Sequence, residues 1–327
     1  MSLLHVTDFS LYFMQYEAGL RRRRLDVITG LDLTVDTGEL VAVVGASGSG
    51  KSLLAHALLG LLPSNAVEGG TVTFDGAVLD HTRRRALRGR QIALIPQSVT
   101  FLDPLARAGA QVRRAAALAG ADDPAATARA ALRRLGLGDE AAARYPHELS
   151  GGMVRRVLTA AATIGAPRLV LADEPTPGLH PAVVTQTLQG LRAMADNGAA
   201  VVLITHDLLR ALEVADRVAV FYAGTTVEVA PAAAFAWDGA HLVHPYTRAL
   251  WQALPQNGFK PLPGAQPPPT ALPPGCLFAD RCPIMIDECG AARPQAREVG
   301  SSVVRCIRAG GRGEAPHTGG RGEAPHA

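Results

Sequence analysis

Gly45-Ala-Ser-Gly-Ser-Gly-Lys-Ser52 is the stretch from which the rest of the chain can be placed. Before it, Glu39-Leu-Val-Ala-Val-Val44 is short, apolar and β-branched, the composition of a buried parallel strand. After it, Leu53-Leu-Ala-His-Ala-Leu-Leu59 consists of strong helix formers with a wide apolar face. Strand, glycine loop, helix is the context in which the spacing G-x-x-x-x-G-K-[ST] becomes a phosphate site. Gly45, Gly48 and Gly50 admit backbone conformations that other residues resist and let N–H groups close on an anion. Ser47 and Ser49, between them, belong to the same nucleotide-contacting set. The helix N-terminus adds about half a positive charge directed at the same point. Lys51 is placed to reach the β- and γ-phosphates, and Ser52 to ligate Mg2+. The expectation is a nucleoside triphosphate site.

Around this loop the early chain reads mainly as strand. Residues 3–13 and 27–35 carry apolar residues at strand spacing, and Asp75-Gly76 closes a hairpin. Further strands follow at 92–95, 168–174 and 199–206, with a late hairpin around Ala223-Gly224. Residues 104–145 are rich in Ala, Leu and Arg and poor in β-branched residues, so they read as a helical insertion. Strands alternating with helices indicate an α/β core with a parallel sheet.

The 327 residues suffice for one large domain with an appendage, or for two domains. A net charge of +3 favours neither nucleic acid nor an acidic substrate. The basic run Arg21–Arg24 reads as a solvated loop. The N-terminus lacks a basic segment followed by an apolar core, and no run approaches the ~18 apolar residues of a membrane span, so a soluble intracellular protein is expected. All four cysteines, 276, 282, 289 and 306, fall in the last quarter. In a reducing compartment such a group reads as a metal or cluster site rather than a disulfide framework.

A phosphate loop leaves kinase, GTPase, helicase and transport ATPase open. Leu149-Ser-Gly-Gly-Met153, before the helical run 154–164, decides among them because it resembles the signature of ATP-binding-cassette (ABC) ATPases. Leu169-Val-Leu-Ala-Asp173-Glu174 resembles the Walker B motif that follows it in that family. The resemblance implies that Asp173 holds Mg2+, that Glu174 polarises the attacking water as general base, and that His206 in Ile204-Thr-His-Asp207 contacts the γ-phosphate. It further implies that Gln97 senses Mg2+ and couples to a membrane partner, and that an upstream aromatic, Phe13, stacks on adenine. Ser150, Gly151 and Gly152 would close over the nucleotide of a second ATPase domain, so that ATP is sandwiched at a dimer interface.

The resemblance covers residues 3 to about 250, with two departures. Met153 stands for the usual glutamine, and His180 in Pro175-Thr-Pro-Gly-Leu-His stands where the family has the D-loop aspartate that couples the two sites. Beyond 240, His244-Pro-Tyr-Thr-Arg-Ala-Leu250 and Gly275-Cys-Leu-Phe-Ala-Asp-Arg-Cys-Pro283 resemble the C-terminal extension of dipeptide, oligopeptide and nickel importer ATPases. Four-cysteine members of that subgroup imply a [4Fe–4S] cluster on Cys276, Cys282, Cys289 and Cys306. On chemistry alone, four thiolates also suit Zn2+, and unmetallated thiols stay open.

The expected fold is thus α/β: a P-loop ABC ATPase core over 1–250 with a mixed sheet and a helical subdomain at about 98–163. A Pro-rich linker at 251–274, a four-cysteine extension at 275–309 and a disordered tail at 310–327 follow. The expected function is ATP hydrolysis coupled to import of di- or oligopeptides or nickel chelates. Its cofactors are ATP and Mg2+. Its partners are a paralogous or identical ATPase subunit, two permease subunits and an extracytoplasmic binding protein, without nucleic acid, at the cytoplasmic face of the membrane. The alternative is a soluble ABC-type ATPase acting on nucleic acid or the ribosome.

Overall fold

Apolar residues at a period of two build a long antiparallel pair, β1 (Ser2–Ala18) and β2 (Arg21–Asp36). Leu4, Val6, Phe9 and Leu11 of the first strand and Ile28, Leu31, Leu33 and Val35 of the second are all buried. Between Val6 and Phe9 the register slips at a bulge, where Asp8 adopts a left-handed φ of 46°. The structure, a computed structural model, describes residues 2–19, 21–236 and 239–310. Arg21–Arg24, expected in a loop, opens β2 instead, with all four arginines exposed. Strand pairing wins because Arg24 lies 3.9 Å over the Tyr12 ring and Arg22 5.2 Å over that of Tyr16. The run thus charges a sheet edge, which disfavours pairing with another chain.

The phosphate-loop strand is β3 (Leu40–Gly45), and the helix after it is α1 (Lys51–Leu58). Next come β4 (Ala66–Phe74) and β5 (Ala77–Val78), which turn at Asp75-Gly76 with φ of 52° and 72°, then α2 (His81–Leu87) and β6 (Ile92–Ile95). Three helices fill the insertion: α3 (Ala108–Leu118), α4 (Pro124–Arg134) and α5 (Asp139–Ala143). They pack with α6 (Gly151–Thr163) around their own apolar cluster, which includes Leu102, Val112, Leu132 and Val157. The core resumes with β7 (Leu169–Asp173), α7 (Pro181–Asp196), β8 (Ala200–Thr205), α8 (Leu208–Leu212), β9 (Arg217–Tyr222) and β10 (Thr225–Pro231).

Two sheets result: β2-β1-β4-β5, all antiparallel, and a mixed sheet that includes the parallel run β9-β3-β8-β7-β6. Every residue of β3, β7 and β8 is buried, as strands covered on both faces must be, and this explains why they are apolar up to their C-terminal ends, where Asp173 and Thr205 sit. Gly224, at the β9–β10 turn, is fixed by space: a Cβ there would lie 2.3 Å from the Val27 carbonyl oxygen.

The C-terminal part joins this sheet. After α9 (Pro245–Gln252) and α10 (Glu288–Ala291) come β11 (Arg297–Val299) and β12 (Ser302–Val304), and β12 pairs with β10 to lengthen the sheet. The Pro-rich stretch is packed as well: Leu262 and Leu272 lie against the Tyr222–Tyr246–Phe278 cluster, and the Pro269 carbonyl accepts the Asp26 N–H at 3.1 Å. Residues 311–327, nearly all of the expected disordered tail, lie outside the described residues.

Glu228 of β10 pins the start of α9. Its fully buried carboxylate accepts the Val243 and His244 N–H groups at 2.9 and 2.8 Å. His244, itself buried, accepts the Tyr246 N–H on Nδ1 at 3.1 Å, and burial pushes its pKa down to about 3. Below the unfolded value of about 6.5 the unfolded chain takes up a proton that the folded chain refuses. This contribution is therefore complete above that pH and is lost as pH falls towards 3. In denaturant titrations the stability difference between wild type and His244→Asn should shrink with falling pH in this window by about 1.4 kcal/mol per unit.

Candidate functional site

Because β3, β7 and β8 are adjacent and parallel, the loops at their C-terminal ends meet at one edge of the sheet. These loops carry residues 45–52, 173–174 and 205–207. Gly45 has no room for a side chain, since a Cβ would fall 2.3 Å from the Phe221 carbonyl oxygen, and Gly48 and Gly50 take φ of 78° and 95°. Lys51 turns into its own loop and donates from Nζ to the Gly45 and Ala46 carbonyls at 2.9 and 2.8 Å. Burial pushes its pKa below the usual lysine value, while Glu174 and Asp173 oppose the shift.

The Ser52 hydroxyl donates to Asp173 Oδ1 at 2.9 Å. Burial raises the Asp173 pKa, and the Ser52 bond is the largest opposing effect. Next to it, Glu174 holds a left-handed φ of 45°, strain of order 1 kcal/mol for a non-glycine residue. Its surroundings enforce it: the N–H donates to the Ile204 carbonyl at 2.9 Å, and the carbonyl accepts from Arg155 at 3.2 Å. The Glu174 carboxylate meets His206 Nδ1 at 2.9 Å and is 3.5 Å from the Thr205 hydroxyl. A half-exposed imidazole thus faces a buried carboxylate beside the phosphate loop.

Lys51, Ser52, Asp173, Glu174 and His206 therefore form one set. Gln97, Ser150, Gly151, Gly152 and Phe13 make no hydrogen bond to this set among the described residues. Gln97 is exposed beyond the end of β6. Ser150 caps α6, its hydroxyl accepting the Met153 N–H at 3.3 Å, with Gly151 exposed and Gly152 against Leu179. Phe13 is half-buried and pairs with Leu25 on the hairpin whose Ile28 packs against Gly50.

The set also has a member that the sequence reading missed. Tyr246, in the His244-Pro-Tyr-Thr stretch, brings its hydroxyl to the backbone of Ala46 in the phosphate loop, which opposes the rise of its pKa. Its buried ring lies 4.5 Å from that of Tyr222 and 5.4 Å from that of Phe278, and burial pushes its pKa up to about 12. The stretch was legible only as a family marker, because nothing local in it signals a loop 200 residues away.

Comparison with known proteins agrees with this geometry. The profile of the family described as "ABC transporter" matches residues 28–177, and that of "Oligopeptide/dipeptide transporter, C-terminal region" matches 227–289. A "Probable peptide ABC transporter ATP-binding protein" of Sinorhizobium fredii is 36% identical, over 91% of this chain and 92% of its own. The chain belongs to the ABC transporter ATP-binding family, in the branch with the oligopeptide/dipeptide C-terminal region. The "Oligopeptide transport ATP-binding protein OppD" of Mycobacterium tuberculosis is 38% identical over 94% of this chain, which spans about half of that relative's length (52%). The "Dipeptide transport ATP-binding protein DppD" of Escherichia coli is 36% identical, over 90% of this chain and 92% of its own. Among solved structures, the ATP-binding cassette MJ0796 in a dimeric post-hydrolysis state with ADP and Pi superposes with a TM-score of 0.62 at 25% identity, over 70% of this chain and 98% of that one.

The iron–sulfur and zinc expectations find no support in the geometry. Cys276, Cys282, Cys289 and Cys306 are free thiols in one neighbourhood, but among the described residues no three Cys, His, Asp or Glu side chains converge on a point that an ion could occupy. Burial pushes the Cys276 and Cys282 thiols up, away from the thiolate form that a metal would need. The donor set as placed does not fit a metal centre.

Removing the Tyr246 hydroxyl takes away its polar contact with the Ala46 backbone, a loss of at most about 1.5 kcal/mol. Tyr246→Phe should weaken ATP binding by about two- to tenfold in a fluorescent-nucleotide titration, with turnover at saturating ATP unchanged.

Proposed function

We propose that this chain is the ATP-hydrolysing subunit that energises an ABC importer of di- or oligopeptides. The single observation that carries the reading is the Glu174–His206 pair at 2.9 Å, next to Lys51, Ser52 and Asp173, in a chain whose C-terminal part is fused to the same sheet. The relatives named above are described for peptides, which favours peptide over nickel-chelate cargo. ATP would draw Lys51 off the Gly45 and Ala46 carbonyls onto its phosphates, and the loop N–H groups would complete the cradle. Ser52 and Asp173 offer hard oxygen donors side by side, a set that fits Mg2+ completed by phosphates and water. Bound there, Mg2+ would neutralise charge on the phosphates.

For hydrolysis, Glu174 takes the proton from the attacking water as its oxygen bonds the γ-phosphorus, and the bond to the β–γ bridging oxygen breaks to release ADP. His206 holds the Glu174 carboxylate in position through Nδ1 and keeps its outer edge free for the γ-phosphate.

In this reading Ser150–Gly152, at the start of α6, close on the nucleotide of a second subunit, and two composite sites form. Beyond Gln97, the apolar side chains of Val99, Phe101 and Leu105 are 41, 54 and 86% exposed, which suits docking of a permease. Among the described residues no helix is long and apolar enough to cross a membrane, so the membrane passage is assigned to permease partners, with a binding protein outside and this chain at the cytoplasmic face. Co-purification of permease subunits in detergent supports the importer, whereas ribosomes or DNA in their place overturn it.

Glu174→Gln should lower ATP turnover by about 10²–10⁴-fold in a phosphate-release assay while ATP binding persists. His180 caps α7 with an exposed ring that makes no capping bond. His180→Asp restores both an N-cap acceptor and the family's D-loop carboxylate. It should raise turnover and even out the two composite sites, as followed by nucleotide occupancy per dimer; unchanged values would show that His180 does not cause asymmetry.

A further inference from the structure

Two successive arginines of α6 serve different parts of the fold. Arg156 stays within the helical unit, donating from Nε to the Gly152 carbonyl at 3.3 Å and from Nη1 to the Leu135 carbonyl at 3.1 Å. Arg155 leaves it: its Nη1 crosses to the ATPase core and donates to the Glu174 carbonyl at 3.2 Å. Among the described residues this is the one side-chain hydrogen bond between α6 and the sheet core, and Arg155 makes no ion pair. A half-buried guanidinium is thus spent on a main-chain carbonyl, although its fork matches a carboxylate better.

The place of that carbonyl gives the bond its weight. Glu174 has a left-handed φ of 45°, which a non-glycine residue keeps only where its surroundings hold it. Its N–H, bonded to the Ile204 carbonyl at 2.9 Å, is fixed on one side, and Arg155 fixes the carbonyl on the other. The arginine is held in turn. It lines a seam with Ile95 and Pro96 at the end of β6 and with Pro175 and Leu179 beyond β7, and the space left there, about 10 Å³, admits one water at most. The Glu174 charge also acts on the guanidinium, opposing the fall in pKa that burial causes.

We propose that Arg155 is a positioning residue: by holding the Glu174 carbonyl, it keeps the strained backbone in the conformation that turns the carboxylate to His206. What the carboxylate then does to water rests on the function proposed above; its placement does not. In that reading α6 begins with the residues that close on a second subunit's nucleotide, so one side chain links that helix to the base of this chain's own site.

The test uses the full chain with Arg155→Met, which keeps a helix-forming stem but donates nothing, and Arg155→Lys, which restores a charged donor. The first readout needs no turnover: amide hydrogen exchange of the Glu174 N–H in nucleotide-free protein. It should quicken at least about tenfold in Arg155→Met and return to within about threefold of wild type in Arg155→Lys, while exchange in β3 stays unchanged. The second readout is phosphate release at saturating ATP, expected to be at least about tenfold slower in Arg155→Met, with fluorescent-ATP binding unchanged, and recovered in Arg155→Lys. Combined with Glu174→Gln, Arg155→Met should slow nothing further, because a residue that acts through the carboxylate has no effect once the carboxylate is gone. Equal slowing in both backgrounds marks a general loosening of the fold and overturns the proposal. So does wild-type exchange at Glu174 in Arg155→Met, or a loss that Arg155→Lys does not recover. A wild-type chain that binds ATP but releases no phosphate defeats the proposed function alone, since the exchange readout still decides what holds Glu174.

Discussion

A buried ammonium must be satisfied, and Lys51 is satisfied by the carbonyls of the loop that carries it. Much of the site follows from this. While Lys51 holds Gly45 and Ala46, the loop keeps its shape without a ligand. The ammonium sits among Asp173 and Glu174, which favour its charge against burial. In the proposed function phosphate oxygens replace the two loop carbonyls, which would leave little reorganisation for the binding step. Ser52 and Asp173 wait in the same manner, each holding the other.

The C-terminal part belongs to that arrangement rather than hanging from it. It lengthens the sheet through β12, is pinned by Glu228 at the start of α9, and reaches the phosphate loop through Tyr246. The Tyr222, Tyr246 and Phe278 rings then connect Ala46 with the cysteine-bearing segment by packed contacts alone. Arg281 ties the far end by donating to the Tyr222 hydroxyl at 3.0 Å and to the Pro263 carbonyl at 2.8 Å.

The buried strands were legible because their sequence has one physical cause: β3, β7 and β8 are covered on both faces, so they are apolar up to their C-terminal ends. Glycine punctuation likewise revealed the phosphate loop and the turn at Asp75-Gly76. Where interpretation depended on side chains meeting across the fold, the sequence fell short. Arg21–Arg24 looked like a loop because charge density hides strand pairing, and Tyr12 and Tyr16, which hold it, sit on the opposite strand. The four cysteines looked like a ligand set because spacing says nothing about where sulfurs point. Tyr246 was invisible as a phosphate-loop contact for the same reason, and Glu174's strained backbone has no compositional trace.

The strain itself separates two roles that the sequence merges. Asp173 and Glu174 are neighbouring carboxylates at a strand end, yet only Glu174 has a left-handed backbone. Asp173 stays in the strand register opposite Ile204 and meets Ser52. One residue later the reversed backbone turns the next carboxylate towards His206. In a regular strand, successive side chains would point to opposite faces of the sheet, and the two acids would serve different sides. The left-handed residue breaks that alternation. Both carboxylates thereby stay at the phosphate-loop edge, where the function proposed above gives the cation to one and the water to the other, and in that reading a non-glycine residue carries the strain because the strained position needs the carboxylate.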